Sequence, residues 1–346
     1  MGDGSTTKTN RPEVIVASDV AAIAAGGAHS VFLKTDGSLW AMGNNSTGQL
    51  GDGTYTQTNR PEQIVASGVT AISAGDSHTL LIKSDGSLWA MGNNSFGQLG
   101  DGTTTKTNRP KLIVTDSVTA VAAGGNHSLF LKSDGSLWAM GYNFYGQLGD
   151  TTYATSTHPK QIVASGVIAI AAGSEHSMFL KSDGSLWVMG EGDYGELGIG
   201  FYLAKLNNPY PIESGNVTEI SAGGLHSIYL KSDGSLWDMG YNGFGELGDG
   251  TTANAASPKQ IIAAPSVPVD LVGISVVGTD LLLYGTHGVS GSTNYVLMST
   301  DVGRARNLWL PVATNVLTAN GNFTLTLTNA LVPFATNRFY LLQSAQ

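Results

Sequence analysis

Short apolar runs separated by polar turns occupy most of the chain, and they come in groups of four. In the first group, residues 20–25, 30–34 and 38–42 are largely apolar, and residues 60–65 follow with a proline near their start. A continuous apolar run of this length is typical of a strand that is buried on both faces. Proline near the start of a strand favours an outer position in a sheet. The pattern therefore predicts four-stranded β units.

The second and third runs of each group are joined by Asp-Gly, as at Asp36 and Gly37. This dipeptide is typical of a two-residue hairpin turn in which both residues adopt positive φ. We therefore expect each unit to contain a tight two-residue β-hairpin at this point.

The groups are copies of one repeat. The string that begins His29-Ser30 and ends Leu39-Trp40 returns four more times, and successive histidines lie 49 or 50 residues apart. A period of this length, with one tryptophan and several glycines per unit, is typical of a β-propeller. We therefore predict an all-β fold, a β-propeller of four-stranded blades of about 49 residues with five full repeats. The repeated histidines are His29, His78, His127, His176 and His226.

Residues 266–346 do not follow the repeat. Their apolar runs alternate with turns, at 281–284, 294–298, 323–327 and 338–342. Such a pattern predicts a small β-sandwich-like domain. We therefore divide the chain into a repeat propeller, residues 1–265, and a C-terminal β-rich module, residues 266–346.

The charge of the chain indicates which classes of binding partner are disfavoured. The net charge is −9, and the excess lies in the repeats, because the part from residue 266 onward is neutral. An acidic surface without a cluster of Lys and Arg disfavours nucleic acid, whose recognition requires positive charge. The chain has no cysteine, and no apolar run approaches the ~20 residues of a membrane helix. We expect neither nucleic-acid binding nor membrane insertion.

The five repeated His-Ser/Thr pairs, each with an Asp seven residues after the histidine, suggest a hydrolase at first. A Ser-His-Asp centre requires one convergent set beside an oxyanion hole, whereas these residues recur in every repeat. The aspartates are explained by the hairpin turns, and we expect the buried histidine rings to hydrogen-bond backbone groups. The acidic loops 51–54 and 100–103 lack the carboxylate pattern of a calcium site. We therefore predict no catalytic residue, no cofactor and no bound metal.

Positions that vary from repeat to repeat are the candidates for function, because the scaffold positions stay fixed. The loop before each Gly-Gln/Glu-Leu-Gly is variable and rich in aromatic residues, and the residue before each histidine varies as well. Equivalent loops of a propeller lie on one rim, and rigid aromatics beside polar residues are typical of protein interfaces. The alternative is that these rings only cover the ends of the blades. The predicted binding residues are Phe96, Asn126, Tyr142, Phe144, Tyr145, Glu175, Asp193, Tyr194, Tyr241 and Phe244.

Three motifs of the repeat resemble those of the regulator-of-chromosome-condensation repeat family. They are Ala25-Gly26-Gly27-x-His29-Ser30, Asp36-Gly37-x-Leu39-Trp40 and Gly43-x-Asn45-x-x-Gly48-Gln49-Leu50-Gly51. The resemblance covers residues 1 to about 264. It implies a propeller, usually of seven blades, that serves chiefly as an interaction platform. Whether five repeats close into a small ring or form an open arc is left open by the sequence.

The C-terminal module resembles short C-terminal modules of bacterial secreted or surface proteins. The resemblance is carried by Ser299-Thr300-Asp301, Leu308-Trp309 and Arg338-Phe339-Tyr340, and it implies an extracytoplasmic or secreted location in a bacterium. Residues 2–6 correspond to residues 51–55 in the middle of a repeat. We therefore expect a mature or trimmed fragment whose leader is missing.

The leading hypothesis is a non-catalytic protein-binding propeller, of scaffold or inhibitor type, that presents an aromatic loop face to a protein partner. One alternative is a hydrolase acting on an ester or a glycan, with its site on the propeller face or at the domain junction. Another is a cell-surface adhesin or glycan-binding module. A strongly pKa-shifted His or Asp in a deep cleft would favour the enzyme, and an exposed flat aromatic rim would favour the binding protein.

Overall fold

The computed structural model describes residues 2–263 throughout and, in the remainder of the chain, the backbone of six strands. The chain divides into two compact units, Met1–Ala263 and Ala264–Gln346. The regular elements of the described residues are all strands. Accordingly, this part of the chain contains no helix long and apolar enough to cross a membrane.

The first unit consists of five four-stranded antiparallel sheets, which confirms the predicted propeller blades. In blade 1, β1 (Val20–Ala25), β2 (His29–Lys34), β3 (Leu39–Gly43) and β4 (Thr58–Val65) lie side by side in chain order. Blades 2 to 5 repeat this order with β5 (Val69–Ala74), β6 (His78–Lys83), β7 (Leu88–Gly92) and β8 (Thr107–Val114); β9 (Val118–Ala123), β10 (His127–Lys132), β11 (Leu137–Gly141) and β12 (Ser156–Val163); β13 (Val167–Ala172), β14 (His176–Lys181), β15 (Leu186–Gly192) and β16 (Leu203–Glu213); β17 (Val217–Ala222), β18 (His226–Lys231), β19 (Leu236–Gly240) and β20 (Ala255–Ile262).

The described residues of the second unit form two three-stranded antiparallel sheets, in the orders β21-β22-β25 and β24-β23-β26. The apolar runs that predicted this module fall in these strands, apart from Arg338. Thr300, Asp301, Leu308, Trp309 and Arg338, on which part of the resemblance rests, lie outside the described residues. The strands are β21 (Asp270–Val277), β22 (Asp280–Thr286), β23 (Thr293–Ser299), β24 (Leu310–Val316), β25 (Phe323–Leu327) and β26 (Phe339–Ser344).

The hairpin between β2 and β3 differs from the two-residue turn that Asp36-Gly37 predicted. Lys34 N donates to Ser38 O at 3.0 Å and Gly37 N donates to Lys34 O at 2.9 Å, which closes a three-residue loop. Gly37 has a φ of 78°, whereas Asp36 does not have positive φ. The Asp36 carboxylate instead accepts the N–H of Ser38 at 2.9 Å. The prediction was wrong because a three-residue loop needs only its last residue in the left-handed region.

The core of the propeller lies between neighbouring blades. Between blades 1 and 2, Leu33 and Leu39 pack against Leu81 and Met91, and the other three pairs of blades bury equivalent clusters. The second strand of a blade is covered on both faces, and in β6 only Lys83 is not buried. Burial of apolar area at these seams is therefore what holds the blades together.

The blades converge where their first strand turns into the second. A Cβ on Gly124 would lie 2.6 Å from the carbonyl oxygen of Gly173 in the next blade, and one on Gly173 would lie 2.7 Å from that of Gly223. Only glycine permits so close an approach of two backbones. These turns from all five blades line one cavity of about 330 Å³, so the blades surround a common axis.

Four of the five repeated histidines tie one blade to the next. His127 Nε2 lies 2.8 Å from Ser177 Oγ, and this hydroxyl donates its proton to Gln147 O at 2.8 Å. The hydroxyl proton is thus committed, so Nε2 carries a proton and donates it to Ser177. Burial lowers the pKa of His127 to about 3 and keeps the ring neutral. The equivalent bonds join His29 to Thr79, His78 to Ser128 and His176 to Ser227.

These histidines therefore bond a hydroxyl of the neighbouring blade, and the expectation of a backbone partner was wrong. Within residues 2–263 the corresponding bond between His226 and Ser30 is not formed. Ile23, on the free side of blade 1, is 80% exposed, whereas its equivalent Ile72 is half-buried between blades. In this part of the chain the five blades form an arc with four seams.

Candidate protein-binding face

The variable loops and the residues before the histidines lie at the same end of the blades. The first residue of each loop donates its N–H to the carbonyl of the residue that precedes the histidine. Tyr142 N bonds Asn126 O and Glu191 N bonds Glu175 O, both at 2.9 Å. We call this end the aromatic face; it comprises loops 93–98, 142–147, 191–196 and 241–246 together with Asn126 and Glu175.

Buried asparagines hold these loops rigidly. Asn143 Nδ2 donates to Asp150 Oδ1 at 2.9 Å and to Ala154 O at 3.1 Å, while its Oδ1 accepts the N–H of Leu148 at 3.0 Å. Asn94 and Asn242 make the same bonds in their blades. Blade 4 has Gly192 at this position, and there β15 extends to Gly192 and pairs with Leu203 of the long strand β16.

Four predicted residues form a first aromatic cluster across blades 2 and 3. The Phe96 ring lies 4.7 Å from that of Tyr142, measured between centroids. Tyr142 lies 6.3 Å from Tyr145 and 6.4 Å from Phe144, and Phe144 lies 5.2 Å from Tyr145 in an edge-on arrangement. Phe144 nevertheless remains 53% exposed. The structure therefore brings residues of two blades into one exposed patch.

A second aromatic cluster joins blades 4 and 5. The rings of Tyr194 and Tyr241 lie 5.4 Å apart, and those of Tyr241 and Phe244 lie 6.1 Å apart. Tyr194 is 38% exposed and Phe244 is 90% exposed. Contiguous exposed apolar residues with polar residues around them are typical of a protein–protein contact site.

Acidic residues accompany the aromatics. Glu175 Oε2 accepts a hydrogen bond from Gln147 Nε2 at 2.6 Å. Burial, and after it the charge of Glu191, raises the pKa of Glu175 to about 7. Burial likewise raises the pKa of Glu191. The Glu191 carboxylate in turn raises the pKa of Tyr145. Asp193 is exposed in the blade 4 loop.

Asn126 has a largely internal role among the predicted residues. It is half-buried, and its Oδ1 accepts a hydrogen bond from Gln98 Nε2 of the preceding blade at 3.3 Å. It therefore joins blades 2 and 3 within the aromatic face.

The prediction did not include the charged residues Glu191, Glu196 and Glu246 of this face, or Lys205, which lies beside it. Glu196 is completely buried, and burial raises its pKa to about 7. The Lys205 ammonium lies 4.4 Å from the centre of the Phe144 ring. Comparison of the repeats could have identified Glu191 and Glu196. The other blades have Asn or Tyr in place of Glu191, and blades 1 to 3 have Gln in place of Glu196. Lys205 lies outside the repeated motif.

The Ser-His pairs cannot act as nucleophile and base in this arrangement. Ser177 and His127 are completely buried, and the serine proton is donated to a backbone carbonyl. His127 Nδ1 has no hydrogen-bond partner among the described residues, so no carboxylate orients the ring. Within the described ranges, no group of three or more His, Cys, Asp or Glu side chains is arranged to hold a metal ion.

The fold and this face define the class of the protein: a repeat β-propeller with a constant scaffold and one variable, aromatic and acidic face. The model of the RCC1-like domain matches residues 1–288. The chain belongs to the RCC1-like domain family. No sequence among the curated proteins matches the chain.

Solved structures with the same fold include human WBSCR16. That chain is 28% identical, with a TM-score of 0.65 over 73% of this chain and 69% of the human protein. Prp20p from Saccharomyces cerevisiae is 21% identical, with a TM-score of 0.62 over 79% of this chain and 72% of the yeast protein. Yeast RCC1 (Prp20) in the structure with Kap60 is 20% identical, with a TM-score of 0.57 over 75% of this chain and 78% of that chain. The two yeast comparisons support the fold alone.

Proposed function

We propose that the chain is a non-catalytic protein-binding propeller, of scaffold or inhibitor type, whose aromatic face contacts a protein partner. The observation that carries this proposal is the pair of aromatic clusters. Together they place seven aromatic side chains on loops at one end of the blades, and one of them, Phe244, is 90% exposed. Rigid, exposed Tyr and Phe next to polar groups are typical of protein interfaces.

Two related structures are of proteins that bind other proteins. The structure of yeast Prp20p is described together with its binding to Gsp1p and histones, and another holds Kap60 bound to yeast RCC1. These are partners of those proteins and identify no partner here. We further propose that this chain works outside the cytoplasm of a bacterium, which the resemblance of its C-terminal module supports.

The experiment compares captured proteins from culture medium and cell extract of the source organism. The test variant changes Phe96, Tyr145, Tyr194 and Phe244 to Ala, and the matched control changes four exposed apolar residues of the strands, Leu112, Ile168, Tyr210 and Ile262, to Ala. Calorimetric melting checks that both variants fold.

We expect the wild-type chain and the strand variant to retain the same protein and the aromatic variant to lose it. Loss of three or four interface aromatics typically weakens binding by about 100-fold or more, since each central aromatic contributes roughly 1–2 kcal/mol or more. Retention of the same protein by the aromatic variant would contradict the proposed function. If the partner is extracytoplasmic, we expect to capture more of it from the culture medium than from the cell extract.

A further inference from the structure

A chain of hydrogen bonds connects a buried histidine to the aromatic face at the seam between blades 2 and 3. His78 Nε2 lies 2.9 Å from Ser128 Oγ, and this hydroxyl donates to Gln98 O at 2.7 Å. The side chain of Gln98 in turn accepts the N–H of Phe96 at 3.0 Å. The Phe96 ring lies 4.7 Å from the ring of Tyr142 in the other blade. The first aromatic cluster is therefore built across a seam that the histidine holds together.

The seam between blades 4 and 5 has the same construction. His176 Nε2 lies 2.9 Å from Ser227 Oγ, which donates to Glu196 O at 2.8 Å. Glu196 Oε2 accepts the N–H of Tyr194 at 2.9 Å, and the Tyr194 ring lies 5.4 Å from that of Tyr241 across the seam. If two blades separate at this end, the rings that face each other across the seam separate as well.

The closed seam has no place for a second proton on the histidine ring. His78 Nε2 already donates its proton to Ser128, so a further proton would bind Nδ1. This atom is buried and has no hydrogen-bond partner among the described residues. It faces the turn at Gly75, where a Cβ would lie 2.7 Å from Nδ1 and closer still to the carbonyl oxygen of Gly124 in the next blade. A buried imidazolium with an unbonded N–H is costly, so protonation requires the seam to open.

The surroundings of the seam histidines do not balance a positive charge. Burial lowers the pKa of His78 and His127 to about 3 and that of His29 and His176 to about 4. The other charges that lower these pKa values are those of neighbouring histidines: His29 acts on His78, His78 and His176 act on His127, and His226 acts on His176. An array of histidines at this spacing therefore resists protonation as a unit.

The nearby acids do not supply the missing negative charge. Asp76 lies two residues before His78, Glu175 lies directly before His176, and Glu196 provides the carbonyl that Ser227 bonds. Burial raises the pKa of all three carboxyls, to about 7 for the two glutamates. In mildly acid solution these carboxyls take up protons themselves, so they offer little compensation to an imidazolium.

We propose that the seams form a proton-sensitive switch of the aromatic face: in mildly acid solution a seam histidine takes up a proton, the two blades that it joins separate at this end, and the rings placed across the seam move apart. The two states are a closed seam with a neutral histidine and an open seam whose histidine reaches water. As a control of partner binding this inference rests on the proposed function, whereas the switch is a property of the chain alone.

The direction and size of the effect follow from proton linkage. A histidine in water has a pKa of about 6.5, so the open seam binds more protons than the closed one below that pH. Opening therefore becomes easier as pH falls. At about pH 5 the equilibrium shifts towards the open seam by about 30-fold per histidine relative to about pH 8. The buried acids act in the opposite direction, because their pKa values are raised in the folded chain, so the test compares variants.

The experiment measures urea unfolding of the wild type, H78Q and H158Q at about pH 8 and about pH 5. Glutamine keeps an N–H donor for Ser128 but does not titrate. We expect the folded-to-unfolded ratio of H78Q to fall about 30-fold less between the two pH values than that of the wild type. H158Q is the matched control, because His158 is exposed in the outer strand β12, and it should follow the wild type within about twofold. H127Q repeats the test in the next seam if H78Q does not fold.

Hydrogen exchange adds a local readout at the aromatic face. The N–H of Phe96 is donated to Gln98, and the N–H of Leu99 is donated to Asn94 Oδ1 at 3.0 Å. After correction for the intrinsic effect of pH on exchange, we expect the protection of both amides in the wild type to fall by about 30-fold from about pH 8 to about pH 5. In H78Q the loss of protection should be less than about threefold.

An equal pH dependence of stability in the wild type and H78Q would overturn the switch, and so would unchanged protection of Phe96 and Leu99 in the wild type. The capture experiment judges the proposed function separately. If the aromatic variant loses a protein that the wild type captures, but H78Q has the pH dependence of the wild type, protein binding stands and the switch fails. If the seams respond to pH but the wild type captures no protein, the switch stands and the proposed function fails.

Discussion

At the scale of single residues, the four seam histidines, His29, His78, His127 and His176, resemble catalytic bases in the sequence but have a structural role. Each histidine is buried and neutral, and it bonds a hydroxyl of the next blade that itself bonds a backbone carbonyl. The hydroxyl thereby bonds two groups of the preceding blade, the histidine ring and a backbone carbonyl. Removing it leaves both a donor and an acceptor buried without partners, which is the costly way to break a hydrogen bond.

We therefore predict that Ser128→Ala lowers the free energy of unfolding by about 1–3 kcal/mol, because His78 Nε2 loses its acceptor and Gln98 O loses its donor. Ser30→Ala is the control. Ser30 has the same place in blade 1, but its hydroxyl faces no histidine within the described residues, so the change should cost less than about 0.5 kcal/mol. Urea unfolding measures the free energy of unfolding of both variants. Equal losses of stability in the two would show that the hydrogen bond between Ser128 and His78 contributes nothing.

At the scale of elements, the repeat made the strands predictable but not the way they are joined. Alternation of apolar runs and turns, copied five times, fixes the four strands of a blade with little ambiguity. The hairpin at Asp36-Gly37 closed as a three-residue loop because Gly37 alone needs positive φ. In the same way, the partner of a histidine ring depends on the neighbouring blade, which a reading of one repeat does not supply.

The aromatic face was also only partly predictable. Variation between repeats pointed to the exposed aromatics, since a side chain that packing does not require is free to change. Glu191 and Glu196 were missed because the carboxylates are small departures from Asn or Tyr and from Gln at otherwise repeated positions. Their burial raises the pKa of both carboxyls, and it depends on three-dimensional packing.

At the scale of the molecule, the last blade differs from the others on the side that a following blade would cover. Asp238 occupies the position held by Ala41, Ala90, Ala139 and Val188, all of which are buried in seams. Asp238 is itself 3% exposed, and burial raises its pKa to about 7.

This residue makes stability depend on pH. Because the pKa of Asp238 is raised in the folded chain, this residue binds more protons in the folded state than in the unfolded state between about pH 4 and about pH 7, and its contribution to the free energy of unfolding falls as pH rises through that interval. Asp238→Ala should therefore stabilise the chain more at about pH 8 than at about pH 5. Urea unfolding midpoints of the wild type and of Asp238→Ala at the two pH values test this. A gain in the midpoint that is equal at both pH values would contradict a raised pKa of Asp238.

Hydrogen exchange, measured on the chain alone and in complex with the protein it captures, tests most directly whether the aromatic face is the binding surface. The expected result is slower exchange in loops 142–147, 191–196 and 241–246, with no change in the hairpins at the opposite ends of the blades, residues 35–37, 84–86 and 133–135. Slower exchange in those hairpins, with the aromatic loops unchanged, would contradict the proposed function and place the interface elsewhere.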